Sequence, residues 1–216
     1  MSRITVVGGT GYAGRNVVRE AASRGHQVIS FSRTIPEESE RVAGVRYETG
    51  SVLDADVRAR AVLGADAIVS TLSPRGELDG RIVEVDRDLT KLAAQNGTRI
   101  IIVGGFSSLR LEEGGPRLAE GGQNAPEFAA EIEQMNTILS ELLQTPESVD
   151  WAFVSPAQLF GSYAPGEALG GYRLGGEVAQ FDDNGSSAIS GADFAMAIVD
   201  EIEQCKHRRA HLSVAY

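Results

Sequence analysis

The sequence predicts an α/β fold of the Rossmann type, a doubly wound parallel sheet with helices on both faces and a small C-terminal lobe on the substrate side. Two observations predict it. Short apolar runs alternate with segments of helical periodicity almost from end to end, the pattern of strands joined by crossover helices. A glycine-rich turn, VVGGTGYAG at residues 6–14, directly follows the first apolar run. No internal repeat or linker divides the 216 residues, so residues 1–216 read as one domain with a loop and hairpin lobe around 157–190.

The elements follow in order. Ile4 to Val7 reads as a buried strand, and Val17, Val18, Ala21 and Ala22 lie at helical spacing before Gly25 stops that helix. Gln27 to Ser32 is a second strand, Val45 to Thr49 a third, residues 54–64 a short helix and Asp66 to Leu72 a fourth strand. Ile82, Val85, Leu89 and Leu92 mark one helix face, and Gly97 suits the residue just past its end. Arg99 to Gly105 reads as a central fifth strand. A helix over roughly Pro126 to Leu143 would turn Ile132, Met135, Ile138, Leu139 and Leu142 inward. Trp151 to Pro156 is a sixth strand. Ser190, three residues before Asp193, opens a last helix with an acidic variant of the capping box, and HLSVAY would close the sheet as strand seven. FDDNGSSAI suggests a hairpin turning at Asn184-Gly185.

Charge and cysteine usage narrow the function classes. Thirty acidic against twenty basic residues give a formal charge of -10, which disfavours nucleic acid and anionic membranes as partners and favours a small molecule. The single cysteine, Cys205, reads as a half-buried helix residue, and no cluster of His and Cys offers a metal site. The opening MSRITVVGG runs directly into structure, and no stretch approaches the ~20 apolar residues of a bilayer span, so a soluble, cytoplasmic protein is expected.

Gly8, Gly11 and Gly14 form G-x-x-G-x-x-G between a predicted strand and a predicted helix, the setting of a dinucleotide fingerprint. The first glycine permits the tight turn, the second lets a pyrophosphate approach the backbone, and the third lets helix and strand pack closely. The phosphates then meet free N–H groups at the helix start. A P-loop would need a lysine after its second glycine, and the only lysines are Lys91 and Lys206. Beyond strand two comes FSRT, with no carboxylate before Glu37 to hold the ribose hydroxyls of NAD. Ser32 and Arg33 are available to a 2′-phosphate, so NADP is favoured over NAD. The plainer reading of Arg33 is a solvated loop arginine.

Together the glycine spacing, Arg33, GSVLDAD, IIVGGFSSL, WAFVSPAQLF and AISGADFAMAIVDEIE resemble the NmrA-like branch of atypical short-chain dehydrogenases/reductases, nearest the subgroup named for NAD(P)H-flavin reductases. The resemblance covers essentially the whole chain and implies a Rossmann core that binds NAD(P)H. It places the phosphates at Gly8, Thr10, Gly11, Tyr12, Ala13 and Gly14, and the 2′-phosphate near Ser32 and Arg33. The family's G-D-V, whose Asp meets the adenine amine, is here Gly50, Ser51 and Val52, which puts that contact in doubt. Ser70 to Pro74, with Thr71, Leu72 and Ser73, should line the ribose and approach the nicotinamide, as should Gly104 to Ser108, with Gly104 and Gly105, and Ser155 to Gln158, with Pro156 and Ala157. Each serine of these segments is also ordinary turn chemistry.

The catalytic signal is poorer. The Tyr-x-x-x-Lys pair of ordinary short-chain dehydrogenases is missing. His26, His207 and His211 read as structural. Hydride transfer to a flavin or quinone chiefly needs reacting atoms held about 3–3.5 Å apart in a dry pocket. Two glycine-rich stretches, 104–126 and 161–176, read as mobile lids over such a pocket. Phe106, Leu109, Phe160, Tyr163 and Tyr172 would either face a planar substrate or form a satellite core under the loops. Ser107, Ser108 and Tyr163 are the best proton donors. The expected function is therefore an NADPH-dependent oxidoreductase with a small planar acceptor, flavin being a possible substrate. The alternative is a non-catalytic redox sensor of NmrA type that acts through a protein partner. A sugar-nucleotide epimerase would want the missing pair and a larger C-terminal domain.

Overall fold

The computed structural model describes residues 1–121 and 126–216. The remaining four residues fall within the first glycine-rich stretch and lie outside the described residues. Among the described residues eight strands form one sheet: β1 (Arg3–Val7), β2 (Gln27–Ser32), β3 (Arg46–Thr49), β4 (Ala67–Ser70), β5 (Arg99–Val103), β6 (Trp151–Pro156), β7 (Arg173–Gly175) and β8 (Ala210–Ala215). Their spatial order is β3-β2-β1-β4-β5-β6-β8-β7. All neighbours are parallel except β7 against β8. The chain reverses its direction of winding at β1, between β2 and β4, where open α/β sheets form their ligand crevice.

Alternation along each strand feeds two cores. Ile4, Val6, Ile101 and Val103 pack with Phe194, Ile198 and Leu212 on one face, covered by α1 (Tyr12–Ser23) and α5 (Gly191–Gln204). Val7, Ile68, Ile100, Ile102 and Phe153 pack on the other, under α2 (Ala55–Val62), α3 (Ile82–Asn96) and α4 (Ala129–Leu143). The helix signals hold at their ends as well. Gly97 caps α3 in the left-handed region at φ 64, and the Ser190 side chain accepts from the Asp193 N–H at the start of α5.

Four expectations need correction. HLSVAY does not close the sheet: β8 lies inside it, and the three-residue β7, too short to show a period, takes the edge. The Asn184-Gly185 turn forms, with Asp182 N–H donating to the Ser186 carbonyl, but no strands flank it. Its neighbours bond elsewhere, Leu159 N–H to Ser187 and Ile189 N–H to Leu159. Pro126–Phe128 is a 3₁₀ turn ahead of α4, because proline fixes φ without donating. Cys205 is exposed and caps α5 in the left-handed conformation, φ 48, rather than lying half-buried within it.

Candidate functional site

The glycine turn and the loop after β4 face each other across the crevice. Each glycine is there for a different reason. Gly8 has φ +83, a conformation L side chains rarely adopt. A Cβ on Gly14 would lie 2.3 Å from the Gly8 carbonyl oxygen, so α1 packs too closely on β1 for any side chain. A Cβ on Gly11 would meet only the Gly8 oxygen, at 3.2 Å, and its other sides are open. That opening is the room an approaching ligand needs. Gly11 also caps α1 without a side-chain bond, so the Tyr12, Ala13 and Gly14 N–H groups, which have no intrahelical acceptor, present the positive end of the helix. These residues fit a pyrophosphate. Gly9, not predicted as part of the site, is required by packing: a Cβ there would fall 2.2 Å from Ser30 Oγ.

A cleft of about 340 Å³ opens beside the turn, and Gly8, Thr10, Gly11, Ser32, Arg33, Val52, Thr71, Leu72 and Ser73 all line it. Thr10 N–H donates to Ser32 Oγ at 3.1 Å, and Thr71 Oγ1 donates to the Val7 carbonyl at 2.9 Å, which ties the turn to β2 and the β4 loop to β1. Arg33 is exposed and lies 3.8 Å from Glu77, which also receives a 3.3 Å hydrogen bond from Ser51 Oγ. Pattern reading missed Glu77, because it enters from a loop 44 residues after Arg33.

Tyr12 is in the turn, but its hydroxyl is committed elsewhere. It donates to the Pro165 carbonyl and accepts from Gly191 N–H, both at 3.0 Å, so it joins the glycine turn to the C-terminal lobe. Gly104 has a packing reason of its own: a Cβ there would lie 2.1 Å from the Phe153 ring. Pro156 and Ala157 are buried at the end of β6.

A second cavity of about 610 Å³ adjoins the first, with Arg75 in the wall of both. Gly105, Phe106, Ser107, Ser108 and Tyr163 line it, so the structure brings the three predicted proton donors together. They are not alike. Ser108 is 1% exposed with its hydroxyl unpaired, whereas Tyr163 is 74% exposed. Phe128, just ahead of α4, and Ile132, Met135 and Asn136 on it add a wall. The other candidates, two aromatics and a leucine, belong to the core: Phe160 packs at 4.6 Å on Phe194, Tyr172 bonds Asp200, and Leu109 is buried.

Behind this cavity the first glycine-rich stretch is braced to the residues that follow the second. Arg110 N–H donates to the Glu177 carbonyl and Ala179 N–H to that of Arg110, both at 2.8 Å, while Arg117 pairs with Glu177 at 3.2 Å. Arg117 also faces His211 Nδ1 at 3.2 Å, and His211 Nε2 meets Ser155 Oγ at 2.9 Å. Burial, helped by the Arg117 charge, pushes His211 down to about 3 and keeps it neutral. It is a structural histidine, as are His26 and His207, which bond Glu203 and Glu201. Opposite, between α3 and β4, burial pushes Asp86 up to about 7 despite the hydrogen bond from Ser70 Oγ.

An uncapped glycine-rich helix start at the switch point of a parallel sheet defines a dinucleotide-binding protein of the Rossmann class. Residues 8–204 match the family described as NAD(P)H-binding, and the chain belongs to that family, within the NmrA-like atypical short-chain dehydrogenases/reductases. It is 29% identical to the uncharacterized protein YwnB of Bacillus subtilis strain 168, over 98% of this chain and 97% of YwnB. Among solved structures, a protein of Burkholderia pseudomallei provisionally named an exported protein is 32% identical with a TM-score of 0.86, covering 100% of both chains. One of Streptococcus pneumoniae provisionally named an NADH-flavin reductase is 27% identical with a TM-score of 0.84, covering 100% of this chain and 99% of its own.

Proposed function

We propose that this chain is an NADPH-dependent oxidoreductase that passes hydride to a small planar acceptor such as a flavin or quinone. One observation carries the reading: an aromatic-walled cavity opens directly beside the dinucleotide cleft and shares Arg75 with it. Bound NADPH would supply the hydride. The chain's own part is to hold and exclude. The α1 N–H groups take the pyrophosphate, and Ser32 and Arg33 take the 2′-phosphate. Phe106, Phe128 and Met135 shed water from the acceptor's face, since a dry, fixed contact raises the effective concentration of the reactants. Ser107 and Tyr163 line the same cavity, and their hydroxyls would supply the proton an acceptor needs; Ser108, buried, supports the wall. The Streptococcus relative's name points the same way. A cytoplasmic location, where reduced nicotinamides are made, completes the proposal.

The test is NADPH oxidation against flavins and quinones, with binding titrated in parallel. Turnover is expected, and Arg33→Ala should weaken NADPH by about tenfold or more while sparing NADH, the loss of one charge-assisted contact. Equal losses for both nucleotides would remove the 2′-phosphate assignment. Tight binding without turnover would favour the sensor reading, for which Tyr12, tying the phosphate turn to Pro165 in the lobe, is the supporting observation.

A further inference from the structure

β2 ends in Phe31-Ser32, and Arg33 follows, with no acid to meet the hydroxyls of an adenosine ribose. The fold delivers one from another loop. Glu77 sits on the 3₁₀ turn Gly76–Leu78 after β4, in the wall of the same cleft as Gly8, Thr10 and Arg33. Its Oε1 lies 3.8 Å from Arg33 Nη1 and accepts from Ser51 Oγ at 3.3 Å. The turn is held in place: Leu78 is buried beneath it, and the preceding Arg75 makes a two-pronged pair with Glu131 at 3.0 and 3.1 Å. Gly76 and Gly80, at φ 60 and 71, form its two bends.

We propose that Glu77 is a nucleotide-discriminating residue, a spatial substitute for the acid that β2 lacks. This rests on reading the cleft as the dinucleotide site with Arg33 at the 2′-phosphate. A ribose 2′-hydroxyl donates to a carboxylate, so Glu77 favours NADH. A 2′-phosphate carries about 1.5–2 negative charges at neutral pH and has no proton to spare, so it must draw Arg33 away from Glu77 and then tolerate that carboxylate nearby. The chain thereby accepts both nucleotides, its preference for NADPH restrained by Glu77. Ser51, which stands where an adenine-facing acid would be, serves to orient the carboxylate.

The test is titration of NADPH and NADH into wild type, Glu77→Gln and Arg33→Ala, with the thermal midpoint of each protein recorded. Glu77 is exposed on a loop, so Glu77→Gln should melt with wild type. It should bind NADPH more tightly and NADH more weakly, shifting the affinity ratio about tenfold toward NADPH. A ratio within about twofold of wild type would overturn the proposal. The two readings fail separately. Selective NADPH loss in Arg33→Ala beside an unmoved Glu77→Gln ratio keeps the cofactor site and overturns the role of Glu77. Equal losses in Arg33→Ala beside a shifted ratio remove Arg33 from the phosphate and retain Glu77 as the ribose acceptor. No binding of either nucleotide to wild type would overturn both.

Discussion

Gly11 and Gly14 stand three residues apart in one motif, yet the structure gives them opposite duties. The Cβ of Gly14 is forbidden by the protein itself, 2.3 Å from a carbonyl oxygen and 2.7 Å from Thr71 Oγ1. The Cβ of Gly11 would meet one protein atom, the Gly8 oxygen at 3.2 Å, and beyond it only what lies in the cleft. Gly11→Val should therefore fold with a smaller loss of stability than Gly14→Ala and lose nucleotide binding. Gly14→Ala should lose about 1–3 kcal/mol of stability by overpacking, whether or not nucleotide is present. Denaturant titration of both variants beside nucleotide titration separates the two duties, and a Gly11→Val protein that still binds would remove the phosphate assignment. The motif's spacing assigns Gly14 its packing duty, but not the partner Thr71, because that contact depends on a loop some sixty residues away.

At the scale of elements, α5 shows a local signal put to a non-local use. Ser190 caps the helix, accepting from Asp193 N–H at 3.1 Å. In a reciprocal box the acid would reach back to the Ser190 N–H, but that group donates instead to the Tyr216 hydroxyl. The Asp193 carboxylate accepts from Leu169 and Gly170 N–H groups at 2.7 and 3.1 Å. Burial opposes its ionisation, yet the hydrogen bonds from Tyr216, Leu169, Ser190 and Gly170 prevail and hold it below the usual carboxylate range. The helix start is thus the anchor of the lobe. Asp193→Ala should cut that anchor, and limited proteolysis is expected to cleave the 163–172 segment several-fold faster while the sheet stays intact. Unchanged cleavage there would show that Tyr12 and Tyr216 hold the lobe unaided.

For the whole molecule, two buried groups should give stability opposite dependences on pH. His211 falls from 6.5 to about 3 on folding, so the unfolded chain binds the extra proton between those values, and stability is lost as pH drops through that window. Asp86 rises from 3.8 to about 7, so the folded chain holds the extra proton, and stability is lost as pH rises toward 7. Between pH 4 and 6.5 the two slopes, each about 1.4 kcal/mol per pH unit, oppose one another. Relative to wild type, Asp86→Asn should gain stability with rising pH across this range and His211→Gln should lose it. Denaturant midpoints at three pH values check both signs, and a slope shared with wild type would mean the group does not titrate on folding.

The sequence by itself determined the class of fold, the alternating order of elements, both faces of the sheet and the glycine turn that opens α1. Those depend on periods of two and 3.6 residues and on glycines whose reasons lie within a few positions of each other. It carried Ser32, Arg33 and Thr71 to one cleft correctly, because strand ends of a parallel sheet converge at its switch point. Only the tertiary structure decided the rest. It placed Glu77 against Arg33, divided four candidate aromatics and Leu109 between a cavity and a core, bound Tyr12 to the lobe, and set a three-residue antiparallel strand at the sheet's edge. Each of these joins segments distant along the chain through contacts of one or two side chains, and such contacts leave no period in a sequence.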